Sequence, residues 1–572
     1  MSVTFIAHNQ SAKDRALAIP ELLDNVFAYL GRHDAAHAAQ LFGLLAPPQS
    51  RHNHTHTYNV EVTERRVDRF LPIARRVREL HSMSSKAECH KDNHSFLCNN
   101  EAFFEDLATM VAARGHVLFP RLVYLRWWDL YSSMYTWPLF GSSVLTEVNI
   151  IVPHCCLYTD SLTALSVLAP SVKSICLTAY PPKEYDGTVL FSALDVELLD
   201  DGWPDVFERL KNLTTLAAPV NFLTSAALAA AATSPNLAIL RFHTTSDPKS
   251  SIRKRQSITD FPTPSFAPGS FPSLSMLELA APLVAYNNIL RDANFPTHQL
   301  RQIGVRAVQA ETESEIRSVL STLSERAGPA LSTLRILLAS RYRWDEPQTD
   351  MDEPDEAEAR SWRYGKAPGR REQLHAATFS PLHGASNLAI LDVAHRFSVR
   401  INDDELVELV QALPALVVLS LNPVPVVVGG TPLTLRVLGR LARIRPFMEV
   451  IRFYLDATLE DEEPLPDRVD RFRGSLRSLW LDASPITMNQ DKLADVAYYL
   501  SMVLPPNRTL SNTPLPDGLD GSPLYFWDHV PPVSSDRVHA WSCVTEMIRQ
   551  IRESEDEDDT AVPVSEEVSL SA

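Results

Sequence analysis

The sequence is poor in the residues and motifs on which phosphate-binding and catalytic sites are usually built. Only 18 of its 572 residues are glycine, which leaves little material for loops that cradle nucleotides. No glycine-rich phosphate loop, G-x-S-x-G elbow, H-E-x-x-H motif or spaced Ser/His/Asp set stands out. We therefore expect a protein that is not an enzyme and that needs no cofactor.

The cysteine spacing and the hydrophobic runs give no sign of secretion or of membrane insertion. The six cysteines show no framework spacing, and the N-terminus MSVTFIAHNQ does not resemble a signal peptide. No run approaches the roughly 18–20 apolar residues of a membrane-spanning helix. These absences predict reduced thiols, no membrane association and a cytoplasmic or nuclear location.

The net charge of -17 comes largely from two short acidic segments. Asp345–Glu358 holds eight acidic residues and no basic one, and Glu553–Asp559 holds six acidic residues and no basic one. Without these segments the net charge is about -3. The chain therefore lacks the basic excess that nucleic-acid binding usually needs, and we expect no nucleic-acid partner.

What the chain does contain is a repeated unit, which is clearest at Asn402–Pro423. Apolar residues recur there at helical spacing, with Asn402 as a predicted N-cap and Glu405 in the capping-box position. Pro414 ends the predicted helix, and the spacing Leu-x-x-Leu-x-Leu then predicts a turn and a short strand. Such a unit cannot bury its own apolar face and needs similar units on both sides.

The same three-position apolar pattern recurs along most of the chain. Most steps between successive patterns fall between 23 and 32 residues, and a proline precedes many of them. The triplets are Leu122/Leu125/Trp127, Leu145/Val148/Ile150, Val172/Ile175/Leu177, Leu213/Leu216/Ala218, Leu237/Leu240/Phe242, Leu274/Leu277/Leu279, Leu300/Ile303/Val305, Leu331/Leu334/Ile336, Leu388/Leu391/Val393, Leu416/Leu419/Leu421, Met448/Ile451/Phe453 and Leu476/Leu479/Leu481.

This pattern resembles an irregular leucine-rich-repeat array. The resemblance implies an α/β solenoid with parallel strands on a concave face and helices outside. Outward strand positions, such as Val418, Ser420, Arg452 and Ser478, would then be candidates for contact with a partner. An ordinary α/β domain with leucine-rich strands is the alternative.

The segment Ile19–Leu30, IPELLDNVFAYL, predicts an amphipathic helix that begins at Pro20 and stops at Gly31. It resembles the opening of an F-box, through Ile19, Pro20, Leu22, Leu23, Val26, Phe27, Tyr29 and Leu30. The later Cys-x-x-Trp-like element of that family is absent. The whole chain thus resembles fungal F-box/leucine-rich-repeat proteins.

The resemblance implies the substrate-recognition subunit of an SCF-type ubiquitin ligase. Ile19, Pro20, Leu22, Leu23, Val26, Phe27 and Leu30 would bind a Skp-type adaptor, which links the chain to a cullin scaffold, and the repeats would hold an unidentified protein substrate. Two alternatives stay open: Ile19–Leu30 could be a helical cap of the solenoid, and the protein could be an interaction scaffold without a ubiquitin-ligase role.

The interpretation divides the chain into five parts. They are an F-box-like helical module (16–60), a helical linker or cap (61–118), irregular leucine-rich repeats (119–500) with an acidic insertion (341–374), a C-terminal covering loop and helix (501–552), and an acidic disordered tail (553–572). The final helix is predicted at Val538–Ile551.

Two histidine-rich groups invite a zinc interpretation. His52, His54 and His56 alternate, and Cys89, His90, His94 and Cys98 cluster. Neither group has a standard zinc-ligand spacing, so we expect surface loops and no metal site.

Overall fold

The computed structural model describes residues 63–81, 101–152, 158–179, 202–219, 224–243, 265–306, 312–338, 373–510 and 535–560. Positions 116, 129–138, 396, 426–430, 460–464, 467, 482, 507 and 509 are gaps inside these ranges. The chain divides into two compact units, unit 1 (Met1–Leu237) and unit 2 (Ala238–Ala572). The predicted adaptor-binding residues Ile19–Leu30, both histidine-rich groups and most of the acidic insertion lie outside the described residues.

Unit 1 alternates strands and helices. Its strands are β1 (Glu79–His81), β2 (Tyr124–Trp128), β3 (Glu147–Val152), β4 (Ser174–Ala179) and β5 (Thr215–Pro219). Its helices are α1 (Glu64–Ala74), α2 (Glu101–Ala113), α3 (Tyr158–Leu168) and α4 (Ser225–Ala232), and residues 202–209 are also helical. Each strand pairs in parallel with the next strand along the chain.

Unit 2 repeats the arrangement over a longer stretch. Its strands are β6 (Ile239–His243), β7 (Met276–Ala280), β8 (Gln302–Arg306), β9 (Thr333–Leu338), β10 (Ile390–His395), β11 (Val418–Leu421), β12 (Val450–Phe453) and β13 (Ser478–Trp480). Its helices are α5 (Leu283–Arg291), α6 (Glu313–Ala327), α7 (Ala376–Phe379), α8 (Asp403–Ala412), α9 (Arg436–Ile444), α10 (Gln490–Val503) and α11 (Ser535–Thr560). Short 3-10 helices occupy Thr297–Gln299 and Ser380–Gly384. All neighbouring strands again pair in parallel and in chain order.

The apolar triplets form the core, as the sequence predicts. Every member of the twelve triplets is at most 4% exposed. Each triplet runs from the turn before a strand into that strand, except that Leu481 directly follows the end of β13. In unit 2, Leu277, Ile303 and Leu334 face one another in successive strands, so the second leucine position forms a continuous buried row. The predicted fold class, an α/β array like that of leucine-rich-repeat proteins, is confirmed.

A backbone ladder at the start of each strand fixes the stacking, and we refer to it as the strand-start ladder. The carbonyl of Arg301 accepts hydrogen bonds from the amides of Ser332 at 2.8 Å and Thr333 at 3.0 Å. The carbonyl of Ser332 in turn accepts from the amides of Ala389 at 2.8 Å and Ile390 at 3.1 Å. The Ser332 hydroxyl adds a bond to the Arg301 carbonyl at 3.0 Å. Each repeat is therefore held by its predecessor through the main chain, which constrains few side chains.

The helix predicted in the repeated unit Asn402–Pro423 forms as α8. Asn402 caps α8: its side chain accepts from the Glu405 amide at 2.9 Å, and the Glu405 carboxylate accepts from the Asn402 amide at 2.9 Å. This capping box satisfies two backbone donors that a helix N-terminus otherwise leaves without partners. Leu406 and Val410, which lie one turn apart on one face of α8, are fully buried.

The two ends of the described chain also contribute to the array. In unit 1, α1 buries Val67, Phe70 and Ala74, and the segment 61–118, predicted as a linker or cap, supplies β1 to the sheet. In unit 2, α11 packs on α10, and continues to Thr560. It therefore includes residues 553–560 of the predicted disordered tail, where a glutamate can pair with an arginine one turn earlier, as Glu553 does with Arg549.

We expect Leu419→Ala to lower the free energy of unfolding by about 2–5 kcal/mol, because it leaves a cavity in the centre of the buried row. Leu419 is fully buried on β11, between Leu391 and Ile451 of the neighbouring strands. Urea denaturation measures the change. Val284→Ala is the control, since Val284 is 55% exposed and should change the free energy by no more than about 0.5 kcal/mol. Equal effects of the two substitutions would contradict the placement of Leu419.

Candidate binding surface on the sheet

One position of the repeat holds many of the polar and charged side chains of the sheet. It is the residue between the second and third members of each apolar triplet, and side-chain alternation places it on the sheet face opposite the buried leucines. We call these residues the outward row: Arg126, Asn149, Cys176 and Ala217 in unit 1, and Arg241, Glu278, Gly304, Arg335, Asp392, Ser420, Arg452 and Trp480 in unit 2. Within each unit, successive members face each other in adjacent strands.

Glu278 is the centre of a buried charge cluster on β6–β8. Its carboxylate accepts a hydrogen bond from Nε of Arg306, and Nε of Arg241 lies 3.5 Å from its other oxygen. The side chains of Glu278 and Arg306 are 8% and 9% exposed. Because the desolvation of a buried carboxylate is costly unless it is paired, the two arginines are a structural requirement of Glu278.

Gly304 makes room for this cluster. A Cβ atom at position 304 would lie 2.7 Å from Cγ of Glu278 and 3.1 Å from its Cβ. The Glu278 side chain therefore lies across the bare backbone of β8. The buried Tyr286 is close as well: burial, and secondly the charge of Glu278, raise the pKa of its phenol far above the ordinary value.

A second buried polar cluster occupies β10–β13. Asp392, Ser420, Arg452 and Trp480 are 4%, 0%, 6% and 6% exposed. Within the described part of the chain, four buried atoms of these side chains have no partner at hydrogen-bond geometry: Asp392 Oδ1, Ser420 Oγ, Arg452 Nε and Trp480 Nε1. Buried polar groups in folded proteins are nearly always paired, so this grouping calls for an explanation.

The ionisation of Asp392 reflects its surroundings. Burial raises the pKa of the carboxyl above its ordinary value. The nearby Ser420 hydroxyl and the guanidinium groups of Arg452 and Arg335 act in the opposite direction and offset this shift only in part. Removal from water is therefore the stronger influence on this carboxyl.

The far end of the row is closed by an apolar cluster and the last helix. Trp480 packs with Val424, Tyr454 and Ala483. Burial raises the pKa of Tyr454 to about 12, against the opposing charge of Arg537. Arg537 on α11 donates a hydrogen bond to the Ala483 carbonyl at 3.0 Å. This bond joins α11 to the cluster around Trp480 at the end of the outward row.

The structure places the four predicted contact positions on one face of the sheet, but three of them are buried. Val418, Ser420 and Arg452 are 8%, 0% and 6% exposed, so they are buried, and among the four only Ser478 is partly exposed. The Glu278–Arg306 pair and Gly304 were not predicted as site residues. Aligning the triplets and reading the residue after each second leucine would have shown the row of charges.

Metal and membrane features are absent from the described residues. No group of three or more His, Cys, Asp or Glu side chains in these ranges could hold a metal ion. None of the helices described here has the length and apolar character needed to cross a bilayer.

Comparison with known proteins adds little to this description. No protein-family model matches the sequence, and no curated protein matches it. A chain in the crystal structure of the Rad7 and Elc1 complex from yeast is similar, at 14% identity, over 68% of this chain and 88% of that chain, with a TM-score of 0.25. At this TM-score the likeness supports no conclusion about partners or activity.

We expect Gly304→Ala to destabilise unit 2 by about 1–3 kcal/mol, because the added methyl group displaces the Glu278 side chain from its arginines. Thermal and urea denaturation report the change. Gly474→Ala is the matched control, since a Cβ at position 474 meets no atom within 4 Å. If the two alanine substitutions behave alike, the cluster does not depend on the space at position 304.

We expect Asp392→Asn to raise the free energy of unfolding at neutral pH. The folded-state pKa of Asp392 is raised, so the carboxyl favours the folded state below the pKa of the unfolded chain, and this contribution is lost as the pH rises through the folded-state value. The advantage of the asparagine variant should shrink as the pH falls toward 4. Denaturation of both proteins across this range tests the prediction, with the exposed Asp495→Asn as control. An advantage that grows at low pH would contradict it.

Proposed function

We propose that this protein is the substrate-recognition subunit of an SCF-type ubiquitin ligase. The single observation that carries the proposal is the F-box-like segment Ile19–Leu30, followed by a leucine-rich-repeat-like array. Ile19, Pro20, Leu22, Leu23, Val26, Phe27 and Leu30 bind the Skp-type adaptor, and the adaptor connects the chain to a cullin. A short amphipathic helix with excess apolar surface is well suited to bury that surface in a partner groove.

In this proposal the repeats hold a protein substrate and perform no bond chemistry. The receptor acts by proximity, since a tethered substrate presents its lysines to the ubiquitin-loaded enzyme at high effective concentration. No catalytic group or cofactor of the chain takes part. The protein works in the cytoplasm or the nucleus, where ubiquitin ligases of this type act.

The second candidate function is an interaction scaffold without a ubiquitin-ligase role. The specific observation in its favour is the absence of the Cys-x-x-Trp-like element that follows the opening helix in the F-box family. In that case Ile19–Leu30 covers the end of the array as a cap. The two functions differ in one measurable property, the binding of the adaptor.

We expect the purified full chain to retain a Skp-type adaptor in a pull-down and the double variant Leu23→Asp/Phe27→Asp to lose it, because two carboxylates would enter an apolar contact. Isothermal titration gives the affinity of each protein. The double variant Val167→Asp/Val284→Asp is the matched control, since it adds the same charges at positions that are each 55% exposed.

Circular dichroism and a thermal midpoint establish that the three proteins are equally folded. Retention by the native chain and the control, with loss in the Leu23/Phe27 variant, supports the receptor. A folded native chain that binds no adaptor favours the scaffold.

A further inference from the structure

An arginine-rich surface lies where the chain enters the last two strands of unit 2. It is formed by residues 443–449, which end α9 and turn into β12, and by residues 468–477, which turn into β13. We call it the entry surface. Its charged residues are six arginines and two acids: Arg443, Arg445, Arg468, Arg471, Arg473, Arg477, Glu449 and Asp470. These stretches therefore carry a surplus of four positive charges in a chain whose net charge is -17.

Main-chain hydrogen bonds hold the two stretches side by side. The amide of Arg473 donates to the Pro446 carbonyl at 2.8 Å, and the amide of Arg477 donates to the Glu449 carbonyl at 2.7 Å. Neighbouring strands lie about 4.8 Å apart, so the two turns that lead into β12 and β13 are close enough for one extended segment to contact both.

Most of the arginines are open to solvent. The side chains of Arg443 and Arg477 are 75% and 72% exposed. Arg445 is more enclosed, because it donates to carbonyls in the last turn of α8. The other exposed arginines of the entry surface are Arg468, Arg471 and Arg473. A ligand can therefore reach five of the six guanidinium groups without a rearrangement of the fold.

Two of these side chains are anchored in a way that leaves donors available. Nε of Arg443 donates to the Asp470 carboxylate at 2.7 Å, and Nε of Arg471 donates to the Met502 carbonyl at 2.9 Å. Each bond uses one of the five N–H donors of a guanidinium group. An anchored side chain loses less conformational freedom when a ligand binds, which favours binding.

An exposed aromatic ring lies beside the arginines. Phe447 is 57% exposed, and Cζ of Arg473 lies 4.6 Å from the centroid of its ring. The contact is a cation–π interaction, which orients the guanidinium group and covers part of the ring. The entry surface therefore offers an apolar contact next to its positive charges.

The two acids indicate which class of anion fits. Arginine binds carboxylates and phosphates alike. Nε of Arg477 lies 3.6 Å from the Glu449 carboxylate, and Asp470 pairs with Arg443, so both acids belong to the surface. They repel a nucleic acid, which carries a charge on every nucleotide. A peptide can instead place its carboxylates against the arginines and its amides or uncharged side chains against Glu449 and Asp470.

We propose that the entry surface binds an acidic segment of a partner protein that also carries an apolar side chain. Carboxylates of the segment pair with Arg473, Arg477 and their neighbours, and the apolar side chain packs on Phe447. Binding needs no adaptor, so the inference goes beyond the proposed function and holds for a scaffold as well as for a ubiquitin-ligase receptor.

The test uses the full chain and a capped, fluorescein-labelled dodecapeptide of alternating serine and glutamate, in which leucine replaces one central serine. The matched peptide carries glutamine at every glutamate position. At low ionic strength, fluorescence anisotropy should show saturable binding of the glutamate peptide and at least about tenfold weaker binding of the glutamine peptide, because several ion pairs are lost. Adaptor binding is measured separately, so failure of one proposal is distinguishable from failure of the other.

Substitutions locate the binding. Arg473→Gln/Arg477→Gln should weaken binding of the glutamate peptide about fivefold or more, because two charge-assisted contacts are lost. Arg301→Gln/Arg317→Gln is the matched control, since it removes the same charge from two exposed arginines outside the entry surface. Its affinity should stay within about twofold of the native chain. Phe447→Ser should weaken binding of the leucine-containing peptide without any change of charge.

Three results would overturn the proposal. The first is a folded native chain that binds neither peptide. The second is an equal loss of affinity in the two double arginine variants, which would mean that general charge holds the peptide. The third is tighter binding of a labelled oligothymidylate of twelve nucleotides than of the glutamate peptide, which would identify the entry surface as a nucleic-acid site. Circular dichroism and a thermal midpoint establish that all variants are folded.

Discussion

The structure depends on one constraint: no repeat can bury its own apolar triplet. Each strand contributes two or three apolar side chains to a core that is complete only when a parallel neighbour lies on each side. The strand-start ladder meets this need with main-chain hydrogen bonds, such as those from Ser332 and Thr333 to the Arg301 carbonyl. Side chains then fill the space, and every triplet position is buried in each described repeat.

The same constraint leaves the other face of the sheet open to variation. Because the stacking uses the backbone and the inward leucines, the outward position can be arginine, glutamate, glycine, aspartate or tryptophan without a change of register. The freedom is still limited by desolvation. Glu278 is buried where two arginines pair with its carboxylate and where the neighbouring Gly304 has no side chain. The residue types along the outward row therefore depend on one another.

The sequence predicts the inward half of the structure well and the outward half poorly. Period-two alternation and the capping pattern identify Leu419, Asn402 and Glu405 correctly, because these depend on local spacing. Contacts such as Glu278–Arg306 join residues 28 positions apart, which local spacing cannot reveal. The alternation along a strand shows which face of the sheet a side chain is on, but not which residues cover that face. Ser420 and Arg452, which the sequence offers as outward candidates for contact, therefore lie on the expected face but are buried.

Two asparagines show how the array accommodates chain of different length. Asn236 donates from its side chain to the Lys211 carbonyl, across 25 residues, and Asn387 makes the same kind of bond to the Pro329 carbonyl, across 58 residues. In both cases the asparagine stands directly before the first leucine of its triplet. A repeat can therefore lengthen between one strand and the next and still rejoin its predecessor at the same point. Insertions of this kind let such a protein acquire new surface segments while its neighbouring repeats stay in place.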